Sequence, residues 1–254
     1  MFSTMSLRCF CLLMGLVLPQ LALADECVVL LHGLTRTGQS MKSLEFALKK
    51  ASYKVVNARY PSTQKPIEQL ASYVGKAAQK CGGADKLDFV THSMGGIVVR
   101  AWLRQNRPAN LGRVVMLAPP NQGSEVVDAF DGRGIFGVMG PAAKELGTGP
   151  DSLPRKLGPA NFSLGIIAGD KSSRRMFASE LKAPNDGTVT VASTKLQGMK
   201  DHITLHVGHT FMMNNPLVVA QALTFLRKGR FDRGLEYAQA EQMLANGKLA
   251  NSAQ

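Results

Sequence analysis

The chain has 254 residues, enough for one domain of the larger sort with an extensive hydrophobic core. Lysine and arginine outnumber the acidic residues by 30 to 18, which gives a formal net charge of +12 at pH 7. The basic residues are scattered and no nucleic-acid recognition motif accompanies them, so we do not expect nucleic acid as a partner. Peripheral contact with anionic envelope surfaces is the more natural consequence of this charge.

Residues 1–24 have the pattern of a secretory signal peptide. Arg8 is their only charged side chain, residues 9–18 are nearly all apolar, and the Ala-Leu-Ala sequence at 22–24 is a small-residue cleavage site. The alternative is an uncleaved anchor, but the apolar run is short for crossing a bilayer. We therefore expect a mature protein that begins at Asp25 and is exported to a bacterial periplasm or beyond.

Apolar runs alternate with amphipathic segments through most of the remaining chain. Continuous apolar runs are typical of strands buried on both faces of a parallel sheet, and a 3.6-residue period indicates helices. The predicted strands are 28–31, 54–58, 87–90, 114–118, 163–168 and 203–207, and the predicted helices are 40–51, 66–80, 95–105 and 217–226. This alternation predicts an α/β domain at 25–228, with a doubly wound, mostly parallel sheet flanked by helices. Residues 229–254 form a polar, helix-prone tail without a functional signal.

Residues 131–160 interrupt the alternation with many glycines and prolines and with scattered apolar side chains. Long irregular segments in compact domains are usually functional or disordered. We interpret this segment as a lid-like insertion over an apolar site, with a plain surface excursion as the alternative.

Two of the four cysteines, Cys9 and Cys11, belong to the predicted signal peptide. Cys27 and Cys81 remain, and an even pair in an oxidising compartment suggests a disulfide. Two free buried thiols are the alternative.

Ser93 lies where a short apolar strand gives way to a helix, in the sequence Lys86-Leu-Asp-Phe-Val-Thr-His-Ser-Met-Gly95. A strand that ends in a sharp turn lifts a serine hydroxyl above the sheet edge, and the next helix directs its N-terminal amides at the reacting centre. Thr91 stands where this type of turn usually has a glycine, which is a departure from the motif. The layout predicts Ser93 as a nucleophile.

A serine hydroxyl needs a base to take its proton and an acid to orient that base. His209 follows the last predicted strand and is preceded by Gly208, which allows the chain to turn and project the imidazole over the sheet edge. The alternatives are His202, which precedes that predicted strand, and His206, which lies inside it. We take His209 as the candidate base.

Asp186 is the candidate acid, because it lies in the turn sequence Asn-Asp-Gly-Thr-Val after the strand at 163–168. Asp170 is closer to the end of that strand and is the rival. Asp201 is a weaker candidate beside the last strand, and an ordinary turn aspartate is the plain interpretation of Asp186.

These segments together resemble bacterial secreted lipases and carboxylesterases of the α/β-hydrolase superfamily. The resemblance covers residues 27–228 and rests on four segments, namely 31–34 (LHGL), 91–96 (THSMGG), 185–189 (NDGTV) and 208–209 (GH). It implies the chain order nucleophile, acid, base, and therefore Ser93, Asp186 and His209, with an acyl-enzyme on Ser93. It also implies an ester or lipid substrate and no cofactor. Some lipases bind a structural calcium ion, but we place no metal site on this sequence. In the sheet of this superfamily, the strands after Cys27 and Cys81 are neighbours, which brings both cysteines to one end.

The resemblance further implies two backbone amides that stabilise a developing oxyanion, from Leu34 after the first strand and from Met94 after the nucleophile. His32 and His92 precede the position expected for the base, so we interpret them as hydrogen-bonding residues that hold loops. Ser124 is interpreted as a turn or cap residue near the site.

The sequence contains no zinc-ligand cluster, no phosphate-binding glycine loop and no dinucleotide fingerprint. An acyltransferase with the same three residues, or a non-catalytic binding protein on this fold, are the alternative functions, because a fold does not by itself determine function. The natural substrate and the oligomeric state are not encoded in any of these patterns.

Overall fold

The computed structural model describes residues 25–130, 139–172, 181 and 183–246. The predicted signal peptide at 1–24 lies outside the described residues. Six strands form one parallel sheet in the order β2-β1-β3-β4-β5-β6. The strands are β1 (Glu26–Leu31), β2 (Lys54–Asn57), β3 (Lys86–His92), β4 (Leu111–Leu117), β5 (Ser163–Gly169) and β6 (Asp201–Leu205).

Helices connect these strands and cover both faces of the sheet, so the predicted α/β fold class is confirmed. The described α-helices are α1 (Lys42–Lys50), α2 (Ile67–Lys80), α3 (Met94–Gln105), α4 (Glu125–Ala129), α5 (Pro141–Lys144), α6 (Leu153–Lys156), α7 (Val191–Thr194), α8 (Pro216–Lys228) and α9 (Tyr237–Asn246). The described 3-10 helices are Gly38–Met41 and His209–Asn214. Within the described ranges, no helix has the combined length and apolarity needed to cross a bilayer.

The sheet separates two hydrophobic clusters, one on each face. Alternate residues of β1 divide between them, with Val29 and Leu31 on one face and Val28 and Leu30 on the other. The first cluster receives the apolar sides of α2 and α3, and the second receives those of α1 and α8. The unbroken apolar run of β1 is therefore explained by burial on both faces.

The last strand begins and ends two residues earlier than its predicted range of 203–207. β6 pairs with β5 from Gly165↔Asp201 to Gly169↔Leu205. His202 therefore lies inside the strand and His206 beyond it, the reverse of the sequence interpretation. Register with the neighbouring strand, rather than the local alternation of side chains, determines these limits.

Cys27 and Cys81 form a disulfide, with their Cα atoms 5.7 Å apart. Cys27 is part of β1, whereas the sequence interpretation had it just before the strand, and Cys81 caps the end of α2. Both residues are buried in the first cluster. The bond links β1, the second strand from one edge of the sheet, to the C-terminal end of α2.

The described part of the proposed lid-like insertion, residues 139–160, is packed into the domain. Ala142, Ala143 and Leu146 are buried in the first cluster, and Leu146 accepts a backbone hydrogen bond from Ser124. The Glu145 carboxylate accepts a 2.9 Å hydrogen bond from the backbone of Ile67, at the start of α2. Residues 139–160, called the wall below, are thus packed against the core of the domain. Residues 131–138 lie outside the described residues.

Arg100 attaches this wall to α3. Its buried guanidinium donates to the side-chain and backbone oxygens of Asn121, to the Pro154 carbonyl at 2.9 Å and to the Gly158 carbonyl at 2.7 Å. Burial lowers the pKa of Arg100 to about 10. Neutral oxygens from two segments of the chain therefore solvate one buried cation.

The C-terminal segment after 228 contributes to the outer layer of the domain. Within it, α9 buries Ala240, and Met243 and Leu244 pack against the second cluster. The predicted domain limit at 228 is therefore not a packing limit, although 247–254 lie outside the described residues.

Replacing both Cys27 and Cys81 by serine should lower the free energy of unfolding by about 4 kcal/mol, because the bond closes a loop with a sequence separation of 54. Urea unfolding of the oxidised protein and of the variant measures this difference. Addition of a reductant should move the oxidised protein to the midpoint of the variant and leave the variant unchanged. Equal midpoints for the oxidised protein and the variant, both measured without reductant, would contradict the expectation.

Candidate active site

Ser93 occupies the turn between β3 and α3 with an unusual backbone conformation, φ 54° and ψ −128°. A residue with a side chain rarely adopts positive φ, and such strain persists only where the surrounding structure imposes it. Here the Ser93 amide donates a 2.8 Å hydrogen bond to Leu117 at the end of β4. The result is the sharp strand-to-helix turn that the sequence predicts.

Two glycines make this turn possible. A Cβ atom on Gly95 would lie 2.7 Å from the carbonyl oxygens of both Leu31 and His32, so α3 can start this close to β1 only without a side chain there. A Cβ atom on Gly33 would lie 3.0 Å from Ser93 Cβ, which brings the loop after β1 directly against the serine. Thr91, in place of the usual glycine, is accommodated inside β3 as a fully buried residue.

His209 follows β6, at the start of a 3-10 helix, and its ring contacts Ser93. Its Nε2 atom is 3.0 Å from Ser93 Oγ, and its Nδ1 atom is 2.7 Å from Asp186 Oδ2. The three side chains therefore form a continuous hydrogen-bonded relay from a hydroxyl through an imidazole to a carboxylate. The order and spacing are those that proton transfer from a serine requires.

Local backbone contacts hold the Asp186 carboxylate in place. Its Oδ1 atom accepts hydrogen bonds from the amides of Thr188 at 3.0 Å and Val189 at 2.8 Å, as expected of an aspartate turn. In addition, the His209 amide donates to the Asp186 carbonyl at 2.9 Å. The two loops are thus joined by backbone as well as by side chains.

His92 supports the segment that carries His209. Its Nε2 atom lies 3.0 Å from the His209 carbonyl oxygen, an acceptor, so Nε2 carries the proton and donates it. Complete burial holds the pKa of His92 well below its usual range, with a further lowering by the neighbouring His209. His92 is therefore neutral, in keeping with the predicted loop-holding role.

His32 has a comparable place in the loop after β1. Its ring stacks on Tyr60 with centroids 4.1 Å apart, and its Nδ1 atom donates to the Gly33 carbonyl at 2.9 Å. The Tyr60 hydroxyl donates to the His32 carbonyl, and burial raises the pKa of Tyr60 far above its usual range. Sequence reasoning missed Tyr60, since only the folded chain brings it to this loop.

The alternative residues lie elsewhere or have other partners. Asp170 pairs with the exposed His206, whose Nδ1 atom is 3.0 Å away. His202 in β6 contacts Thr194 Oγ1, and Asp201 accepts from the Phe231 amide and from Arg233. None of these four is within hydrogen-bond distance of Ser93.

A cavity of about 140 Å³ opens beside Ser93 and His209. Its apolar lining comes from Val126, Val127, Met139, Leu146 and Val189. Ser124 also lines it, but begins α4 and donates its hydroxyl to the Thr188 carbonyl at 3.1 Å, as expected for a turn or cap residue. The arrangement can accept a small apolar group next to the serine.

The two predicted oxyanion donors belong to the loop after β1 and to the start of α3. Met94 is the first residue of α3, so its amide is one of the four at a helix start that have no acceptor within the helix. Leu34 lines the same cavity as Ser93. In the described part of the chain, no group of three or more potential ligands is arranged to hold a metal ion.

Solved structures with a similar fold include lipases, a phospholipase and a carboxyl esterase. The mature lipase BlEst2 of Bacillus licheniformis has a TM-score of 0.59 and 21% identity, over 80% of this chain and 89% of that one. The phospholipase PlaB of Legionella pneumophila has a TM-score of 0.62 and 19% identity, over 88% and 64% of the chains. The metagenomic carboxyl esterase MGS0156 has a TM-score of 0.60 and 22% identity, over 74% and 65%.

The chain has the α/β-hydrolase fold. No protein-family model and no curated protein matches the chain in sequence. The chain spans about two thirds of the length of PlaB and of MGS0156.

We expect Ser93 to react with a fluorophosphonate, because His209 is placed to take its proton. Asp186→Asn should slow this labelling about a thousandfold or more, since the amide cannot hold the imidazole as the carboxylate does. Asp170→Asn is the matched control and should label like the unmodified chain. Mass spectrometry of the labelled peptide measures the rate and the site. Equal rates for Asp186→Asn and Asp170→Asn would exclude Asp186 as the orienting acid.

His92→Leu should slow fluorophosphonate labelling about tenfold and lower the melting temperature, because the buried His209 carbonyl loses its donor. His92→Gln should restore most of both, since the glutamine Nε2–H group can donate in the same direction. A Leu variant that labels at the original rate would show that this hydrogen bond does not position His209.

Proposed function

We propose that the chain is an exported serine hydrolase that cleaves carboxylic esters, as lipases and carboxylesterases do. The observation that carries this proposal is the relay from Ser93 Oγ to His209 Nε2 at 3.0 Å and from His209 Nδ1 to Asp186 Oδ2 at 2.7 Å. The α/β-hydrolase fold and the ester-hydrolysing enzymes among its structural neighbours support it.

The reaction begins when Ser93 Oγ attacks the ester carbonyl carbon while its proton passes to His209 Nε2. The carbonyl π electrons move to oxygen and form an oxyanion. Collapse of this intermediate breaks the bond to the alcohol oxygen, which takes the proton from Nε2–H and leaves an acyl group on Ser93. A water molecule then gives a proton to Nε2, attacks the acyl carbon and releases the carboxylic acid as Ser93 recovers its proton.

The amides of Leu34 and Met94 stabilise the oxyanion in both steps. Losing one such donor typically raises the barrier by about 3 kcal/mol. The close approach of Gly33 to Ser93 supports this assignment, because it places the loop after β1 beside the carbon under attack. Asp186 stabilises the imidazolium that forms on His209 in each step.

The apolar lining of the cavity beside Ser93 suits the acyl chain of the ester. The Cys27–Cys81 disulfide fits an oxidising compartment, which is consistent with residues 1–24 acting as a signal peptide. We therefore place the mature enzyme in the periplasm or outside the cell.

The experiment is hydrolysis of 4-nitrophenyl butyrate by the protein that begins at Asp25. We expect activity that Ser93→Ala abolishes to the level of the uncatalysed reaction. Ser124→Ala is the matched control, because this second serine lines the same cavity but donates to a carbonyl.

Activity that survives Ser93→Ala, or that is lost equally in Ser124→Ala, would contradict the mechanism. Folding of each variant is checked by its unfolding midpoint. Trapping the butyryl group on Ser93 by acid quench and mass spectrometry identifies the acyl-enzyme directly.

A further inference from the structure

The cavity beside Ser93 is nearly uncharged. Among its described lining residues there is no aspartate or glutamate, and the histidine furthest inside, His92, is neutral because burial lowers its pKa. His209 takes and returns a proton during the reaction. Arg36 is thus the only permanently charged residue in the described lining.

In the part of the chain that the structure describes, Arg36 has no partner of opposite charge. No carboxylate of the described residues lies within ion-pair distance of its guanidinium, although the exposed cations Lys49 and Arg233 each have one. Instead the guanidinium lies over the ring of Phe211, with its carbon atom 5.9 Å from the ring centroid. Phe211 is itself 68% exposed, so the guanidinium packs against a side chain at the protein surface.

Two hydrogen bonds hold the backbone of Arg36. Its amide donates to the Gly33 carbonyl at 3.3 Å, and its own carbonyl accepts a hydrogen bond from Ser62 Oγ at 3.5 Å. These contacts hold Arg36 on the same loop as Leu34, the proposed oxyanion donor. Arg36 therefore lies two residues after Leu34 on a loop whose backbone is held beside Ser93.

A planar guanidinium presents donors that match the oxygens of a carboxylate or phosphate. Attraction is stronger beside an apolar cavity than in open water, because fewer water molecules screen the charge. A substrate that fills the cavity with an acyl chain can place an anionic group over Arg36. A neutral ester leaves this cation without a partner.

We propose that Arg36 determines specificity by binding an anionic group carried on the ester substrate, so that the preferred substrates are anionic esters. The inference rests on the proposed function, since it names the substrate class of the same site. A phosphate, as in phospholipids, and a carboxylate, as in small hydroxy-acid esters, share the oxygen chemistry that the guanidinium recognises.

The test uses three butyryl esters that differ only in the alcohol: monobutyrin, its 3-phosphate, and butyryl glycolate. Release of butyric acid is followed by titration at constant pH. We expect Arg36→Gln to lower kcat/KM about tenfold to a hundredfold for an anionic ester, the typical value of a hydrogen bond to a charged group, and to leave monobutyrin within about twofold. Arg36→Lys should fall between, because lysine keeps the charge but not the planar fork.

Arg59→Gln is the matched control, because Arg59 is exposed and lines a separate cleft beside Glu45. It should change none of the three rates. A loss confined to the phosphate ester identifies phospholipid-like substrates, and a loss confined to the glycolate ester identifies hydroxy-acid esters. Equal effects of Arg36→Gln on neutral and anionic esters would overturn the proposal.

Binding separates this inference from the proposed function. Ser93→Ala protein titrated calorimetrically with monobutyrin 3-phosphate should bind it, and the Ser93→Ala, Arg36→Gln protein should bind it about tenfold or more weakly. This result supports the role of Arg36 even if no ester is hydrolysed, in which case only the proposed function fails. Equal affinity of the two variants would overturn the inference even if hydrolysis occurs.

Discussion

The close approach of α3 to the end of β1 is the constraint on which the rest of the site depends. Gly95 lies so near the carbonyls of Leu31 and His32 that no side chain fits between them. This contact forces the chain to turn within one residue, and that residue, Ser93, takes a positive φ. This strained backbone conformation of Ser93 persists because the surrounding sheet and helix are both packed into large hydrophobic clusters.

Three loops meet at Ser93, and each is held by contacts that do not involve the reacting atoms. The loop after β1 depends on His32 and Tyr60, the turn at Asp186 depends on its own amides, and the segment at His209 depends on His92. His92 is adjacent to Ser93 in sequence yet acts on His209. The end of β3 therefore contributes to positioning both Ser93 and His209.

Much of this arrangement can be predicted from sequence because its signals are local. The apolar run of β1, the small residues around Ser93 and the turn formers around Asp186 each reflect a requirement of their own backbone. The limits of β6 could not be predicted in this way, because the alternation of 201–207 is the same in either register and pairing with β5 decides it. Tyr60, Arg100 and the packing of 139–160 depend on contacts between distant segments, for which a single sequence has no local signal.

Arg100 has a consequence for how the cavity can change. At Pro154 and Gly158 its guanidinium binds carbonyl oxygens, which every amino acid supplies. Substitution of exposed side chains in this segment, such as Asp151 and Lys156, consequently leaves the main chain attached to α3. Residues of the wall that line the cavity, such as Leu146, can thus change by mutation while the wall stays attached to α3. A constant main-chain frame with a variable lining would allow the cavity to change in size without a change in the fold.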